Sequence, residues 1–257
     1  MTEKIHSPGT NITGFDALVF DLDGVITRTA VVHARAWKKM FDEYLAHLEQ
    51  RGDEGFEAFD EDEDYARYVD GKPRYDGVES FLQSRGITLP YGDADDEPGK
   101  ETICGLGNRK NEIYRGLLDQ AGVEVYEDAV SAIERWRGQG IKTAIVSSSK
   151  NCDAVLEAAG LGRLFDARVD GVIAEREKLD GKPAPDIFLR AAEKLEVPPA
   201  RTAIFEDAVA GVKAGRAGKF GLVVGVCRRG ECETLKKNGA DVVVRNLLEL
   251  EREESER

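Results

Sequence analysis

The sequence has few histidines, no CxxC cysteine pair and no long apolar run, and each shortage removes a class of function. Its three histidines, His6, His33 and His47, are scattered, and Cys104, Cys152, Cys227 and Cys232 form no CxxC, so no zinc site is expected. The four cysteines are read as free thiols of a reducing compartment. No apolar stretch approaches the ~20 residues needed to span a bilayer. The polar start Met1–Asn11 carries no apolar segment of a secretory signal. The expectation is therefore a cytoplasmic protein without membrane contact. Positive charge is also short. Against 49 Asp and Glu stand 36 Lys and Arg, a net charge of −13, which repels nucleic-acid backbones and anionic membranes. A small phosphorylated substrate stays compatible, because a local cluster of Lys, Arg and metal can overrule the global field.

The 257 residues, 41% of them hydrophobic, suffice for a large domain or a domain with an insert. Five apolar runs read as buried parallel strands: Ala17–Phe20, Thr143–Val146, Thr202–Phe205, Phe220–Val226 and Asp241–Val244. Helical patterns at Ala129–Gly138, Asn151–Ala159, Pro185–Leu195 and Val209–Ala217 alternate with them. This spacing predicts a doubly wound α/β sheet. The stretch from about Thr29 to Val125 breaks the alternation. It holds a long amphipathic helix with Trp37, Met40, Phe41, Tyr44 and Leu48 on one stripe, two acidic runs (Asp60–Asp64 and Asp93–Asp96) and no strand pattern. It reads as an inserted helical cap. Glu249–Arg257 reads as a solvated charged tail.

The polar residues that follow the first three runs lie at strand C-terminal ends, where open α/β sheets bind ligands. Asp21 and Asp23 flank the end of the first run, with Gly24 to let the backbone turn sharply. Two carboxylates there need a cation, and Mg²⁺ is the natural oxygen-bound choice. With a metal present, one carboxylate can attack phosphorus and the other can handle a proton. Ser147 follows the second run, Lys182 precedes Pro183, and Glu206-Asp207 end the third. Singly, each has a plainer reading: a helix cap for Ser147, a surface loop for Lys182, a helix N-terminus for Glu206 and Asp207. Jointly they fit one site for a polyanion and a metal.

Asp21-Leu-Asp23-Gly24-Val-Ile-Thr27 resembles the first motif of the haloacid-dehalogenase superfamily, and three further segments appear in that family's order. Ser147-Ser148-Ser149-Lys150-Asn151 resembles the second motif, Gly181-Lys182-Pro183 the third, and Glu206-Asp207 with Ala210-Gly211 the fourth. The resemblance implies a Rossmann-like core (residues 1–27 and 127–257) with a helical cap (28–126). It implies Asp21 as nucleophile, Asp23 as general acid/base, and Ser147 to Asn151 as holders of the phosphoryl group. Lys182 would neutralise charge. Mg²⁺ would sit on Asp21, the Asp23 carbonyl and Asp207, with Glu206 beside it or through water.

Within the cap the resemblance narrows to the β-phosphoglucomutase branch. Thr29 and His33 stand at i and i+4 on one helix face; in that branch such a pair couples cap closure to the acid/base Asp. Arg74 resembles the arginine that grips the phosphate not being transferred, and Lys110-Asn111 the pair facing sugar and phosphate. By themselves these are also a boundary histidine, a loop arginine and a solvated basic helix face. Arg28 stands where the branch often has Asp or Asn, and the acidic runs look like insertions. The resemblance implies a monomeric mutase converting β-glucose 1-phosphate to glucose 6-phosphate through the 1,6-bisphosphate. A sugar-phosphate phosphatase with the same core is the alternative, and a non-catalytic sugar-phosphate sensor a distant one.

Overall fold

The computed structural model describes residues 12–52, 55–228 and 232–251. The polar start with His6, and the charged tail from Arg252, lie outside the described residues. By contacts the chain falls into two compact units, one comprising Thr29–Val123 and the other the residues up to Arg28 together with those from Glu124.

In the second of these units, β1 (Ala17–Asp21) is buried at every position. The chain then builds the helices of the insert, α1 (Thr29–Gln50), α2 (Arg74–Ser84) and α3 (Ile103–Ala121). It returns with α4 (Glu127–Gly138), β2 (Lys142–Val146), α5 (Cys152–Ala158), β3 (Ala167–Val169) and α6 (Gly171–Glu177). After these come α7 (Asp186–Leu195), β4 (Thr202–Glu206), α8 (Val209–Ala217), β5 (Leu222–Val226), α9 (Cys232–Lys237) and β6 (Val242–Val244). All strand pairings are parallel, in the order β3-β2-β1-β4-β5-β6. The order reverses at β1, between β2 and β4, and a crevice at such a reversal is where this architecture holds ligands.

Continuous apolar strands need cover on both faces. Ala17, Val19, Ala144, Val146 and Ile204 pack against Ile187, Phe188 and Ala191 of α7. On the other face Phe20 stacks on Phe205 at 4.4 Å and on Trp136 of α4 at 6.3 Å. Trp136 is 2% exposed, and truncating so buried an aromatic to Ala costs about 3–5 kcal/mol.

In the insert, the stripe Trp37, Met40, Phe41, Tyr44 and Leu48 is buried. Phe41 lies 4.0 Å from Phe81 of α2 and 5.3 Å from Phe59. Both acidic runs build turns. Asp60 accepts the amides of Asp62 and Glu63, and buried Asp64 pairs with Arg85 at 2.5 Å. Asp96, also buried, accepts the Thr102 hydroxyl at 2.7 Å, and Thr102 caps α3 through the Gly105 amide.

The segments that leave and re-enter the sheet unit are paired. Arg28 N–H donates to Glu124 O at 2.9 Å and Tyr126 N–H to Ile26 O at 2.8 Å. The Tyr126 ring lies between the Arg28 and Arg228 guanidiniums, at 4.5 and 4.0 Å.

The cysteine expectation is corrected. Cys227 and Cys232 are disulfide-bonded; Cys104 and Cys152 are buried thiols outside any disulfide among the described residues. Cys227 follows β5 and Cys232 begins α9, and their Cα atoms are 5.2 Å apart, within disulfide reach.

Candidate active site

Three strand ends deliver the side chains. Asp21 closes β1 opposite Val146, and Phe20 faces Phe205, so Glu206 follows one step on beside Asp21. Leu22 N–H still pairs with Val146 O at 3.1 Å, and Gly24 N–H returns to Thr27 O at 2.8 Å, closing a tight loop. Gly24 has φ +87°, and a Cβ on it would lie 1.8 Å from Asp207 Oδ2. Only glycine lets the Asp207 carboxylate rest against this loop.

Lys182 Nζ donates to Asp21 Oδ1 at 2.5 Å and also to Glu206 Oε1. Its side chain is 1% exposed. Glu206, fully buried, accepts the Ala208 amide on its other oxygen at 2.8 Å. Asp23 N–H donates to Asp21 Oδ2 at 2.9 Å, and its carboxylate accepts from Ser147 Oγ at 3.1 Å. Ser147 Oγ in turn accepts the Ser149 amide at 3.1 Å.

One ammonium thus faces two carboxylates, with a third alongside. Burial pushes the Asp21 carboxyl well above the ordinary carboxylate range; Lys182 opposes this, and the charges of Glu206 and Asp23 reinforce it. Burial also works against the Lys182 charge, but Asp21 and Glu206 outweigh it and hold the ammonium charged. The surplus of negative charge suits a further cation with oxygen ligands. Among the described residues no three His, Cys, Asp or Glu side chains are grouped to hold a metal. A divalent ion would have to use two carboxylates and a main-chain carbonyl, and the Asp21–Asp23 loop with Asp207 against Gly24 offers that set. Glu206, expected beside the metal or joined to it through water, holds Lys182 with Oε1 and the Ala208 amide with Oε2.

The rest of the second motif is less concentrated. Ser149 Oγ accepts the Asn151 amide at 3.1 Å, and Ser148 and Asn151 are half-buried. Lys150 pairs with Glu175 at 2.6 Å on the surface.

In the insert, Thr29 is buried at the start of α1, one turn before His33. Lys110 is buried, not on a solvated face. Its Nζ lies 2.6 Å from His33 Nδ1 and 4.8 Å from each of the Trp37 and Tyr114 rings. Lys110 has only donors, so Nδ1 accepts and the imidazole carries its hydrogen on Nε2. Arg109, its neighbour, is the outward residue, bound to Glu43 and Glu112. Asn111 is half-buried on the next position. Arg74 begins α2 and bonds Tyr75 and Asn108. Trp37, Tyr75, Asn108 and Tyr114 give no chemical signal in the sequence, since aromatic and amide residues at helical spacing read as core packing.

Residues 15–219 match the family model described as haloacid dehalogenase-like hydrolase. The chain belongs to this family. It is 51% identical over 237 residues to a β-phosphoglucomutase of Mycobacterium bovis, covering 91% of this chain and 90% of that protein. A β-phosphoglucomutase of Bacillus subtilis is 35% identical over 239 residues, covering 91% of each. Among solved structures, a β-phosphoglucomutase of Clostridium difficile superposes with a TM-score of 0.72 at 28% identity, covering 92% of this chain and 93% of that one. Among the described residues, no helix is long and apolar enough to cross a membrane.

Proposed function

We propose that the protein is a β-phosphoglucomutase, converting β-glucose 1-phosphate to glucose 6-phosphate. The observation that carries this reading is the buried Asp21–Lys182–Glu206 triad at the sheet's reversal point, beside Asp23. The 51% identity to the mycobacterial enzyme supports the choice of substrate.

Asp21 is the nucleophile, and its phosphorylated form is the working enzyme. The substrate's 6-hydroxyl oxygen attacks that phosphorus while Asp23 takes the hydroxyl proton. The new O–P bond replaces the Asp21 O–P bond and leaves the 1,6-bisphosphate. The bisphosphate turns over, Asp21 attacks the 1-phosphate, and Asp23 returns its proton to the departing sugar oxygen. Product and phospho-Asp21 result, so no phosphate is lost. Ser147 orients Asp23 through its hydroxyl, and Lys182 balances the charge that passes through Asp21. Mg²⁺, held by Asp21, the Asp23 carbonyl and Asp207, would supply charge neutralisation at the phosphoryl oxygens. Glu206 keeps Lys182 in place. Arg74 and Lys110 are the candidates for holding the second phosphate, and His33 with Thr29 tunes the acid/base step.

The test is product analysis. With β-glucose 1-phosphate, Mg²⁺ and a trace of the bisphosphate, glucose 6-phosphate should accumulate with little free phosphate. Free phosphate without glucose 6-phosphate would make the protein a phosphatase. Size measurement in solution checks the accompanying proposal of a monomer.

A further inference from the structure

Three arginines of the insert meet carboxylates: Arg51 finds Glu101 at 2.7 Å, Arg85 finds Asp64 at 2.5 Å and Arg109 finds Glu43 at 3.1 Å. Among the described residues, Arg74 meets only neutral groups. Its Nη2 donates to the Tyr75 hydroxyl at 3.2 Å and to Asn108 Oδ1 at 3.3 Å. Its guanidinium lies 5.0 Å from the Tyr75 ring centre, and its Nε is buried with no hydrogen-bond partner.

Asn108 has no freedom to turn. Its Nδ2 donates to Ala94 O at 3.1 Å and Asp96 O at 2.8 Å. With the nitrogen engaged by two carbonyls, Oδ1 must face Arg74, and there it also accepts the Tyr75 hydroxyl at 3.0 Å. The loop supplying those carbonyls is itself anchored. Pro90 O and Tyr91 O accept the Ile103 and Cys104 amides of α3's first turn, where helix donors need outside partners. Asp96 clasps Lys100, Thr102 and its own loop amide at Asp93. This acid-rich loop therefore offers Asn108 main-chain carbonyls and keeps its Asp96 and Glu101 carboxylates on Lys100, Thr102 and Arg51.

We propose that residues 90–102, with Asn108 and Tyr75, form a brace that aims the Arg74 guanidinium while leaving its charge uncancelled for an anionic group of the substrate. A carboxylate partner would orient Arg74 as well but would neutralise it. Asn108 and Tyr75 are positioning residues, and the inserted acidic loop has the task of fixing them. The proposal rests on the reading that Arg74 grips the phosphate not being transferred.

The experiment compares Asn108→Ala, Asn108→Asp, Tyr75→Phe and Arg74→Ala with the unaltered protein. KM and kcat are measured with β-glucose 1-phosphate, and turnover with acetyl phosphate, which has no second phosphate to anchor. Asn108→Ala should raise KM by roughly 10-fold with kcat held within about twofold, the pattern of lost ground-state binding. Asn108→Asp should raise KM further, because it places a carboxylate on Arg74. Acetyl phosphate turnover should not change. Wild-type KM in the Asn108 variants, with KM raised in Arg74→Ala, overturns the brace and leaves Arg74's role standing. Wild-type KM in Arg74→Ala overturns that role instead, and the brace with it. Tyr75→Phe keeps the ring and the packing, so it decides the matter if the Asn108 variants fail to fold: an unchanged KM overturns the proposal.

Discussion

Gly211 opens α8 to the carboxylate of Glu206: a Cβ at residue 211 would stand 1.7 Å from Glu206 Oε1. That oxygen is the one Lys182 holds, so the bare Cα of Gly211 sets where the ammonium points. Gly211→Ala should displace Glu206 and loosen Lys182 from Asp21. Hydrogen bonds to charged groups contribute about 1.5–3 kcal/mol, so kcat should fall roughly 10- to 100-fold. Steady-state kinetics with β-glucose 1-phosphate check this, and a variant as fast as the unaltered protein would refute the linkage.

Asp21→Asn removes the proposed nucleophile. Turnover should drop on the order of 10⁴-fold or more. Mass spectrometry after acetyl phosphate treatment should find a phosphoryl adduct on the unaltered protein and none on the variant. An adduct that persists in Asp21→Asn would move the nucleophile elsewhere.

Magnesium should stabilise the fold, because the cation binds carboxylates that have surplus charge without it. At a concentration about 100 times its dissociation constant the gain is roughly 2.7 kcal/mol, seen as a rise in Tm. Asp207→Asn should lose most of that rise, and chelation of the metal should abolish turnover. An equal rise in Asp207→Asn would take residue 207 out of the metal set.

The cysteines give a prediction that kinetics do not touch. Burial pushes the Cys152 thiol well above its ordinary pKa, and the Asp23 and Asp170 charges push the same way. A raised thiol pKa keeps the neutral form, so reactivity should stay low as pH rises from about 7 to 9, the range over which an ordinary thiol ionises. Iodoacetamide should leave Cys152 and buried Cys104 unlabelled in the native protein. Unfolding without reductant should expose these two, and adding reductant should expose Cys227 and Cys232. Four labels without reductant would contradict the disulfide.

What could be read from the sequence follows from where periodic signals exist. β1, β2, β4, β5 and β6 are unbroken apolar runs, and buried parallel strands need such runs. β3 escaped notice because it is three residues long with Arg168 at its centre. The ends of β1, β2 and β4 flagged Asp21, Ser147, Glu206 and Asp207, but not how these groups share their partners. The sequence puts Glu206 beside the metal or in reach of it through water, but does not reveal that its oxygens also hold Lys182 and the Ala208 amide, with Gly211 leaving the room. Lys110 is expected to face sugar and phosphate, with a solvated helix face as the plainer reading, and neither reveals how deeply it is buried. It is buried because α1 brings His33 and Trp37 to it from 77 and 73 positions away in sequence. The Cys227–Cys232 link depends on how close the end of β5 lies to the start of α9, which residue spacing does not reveal.

Arg28 and Glu124 are joined by one main-chain hydrogen bond of 2.9 Å. Everything from Thr29 to Val123 departs and returns through a gap that a tight turn could bridge. To the six strands, then, this excursion is equivalent to a loop of any length, and its sequence is free to diverge without disturbing their registry. A graft that joins Arg28 to Glu124 through a short turn should still form the sheet, and foreign helical segments could be spliced at the same two residues.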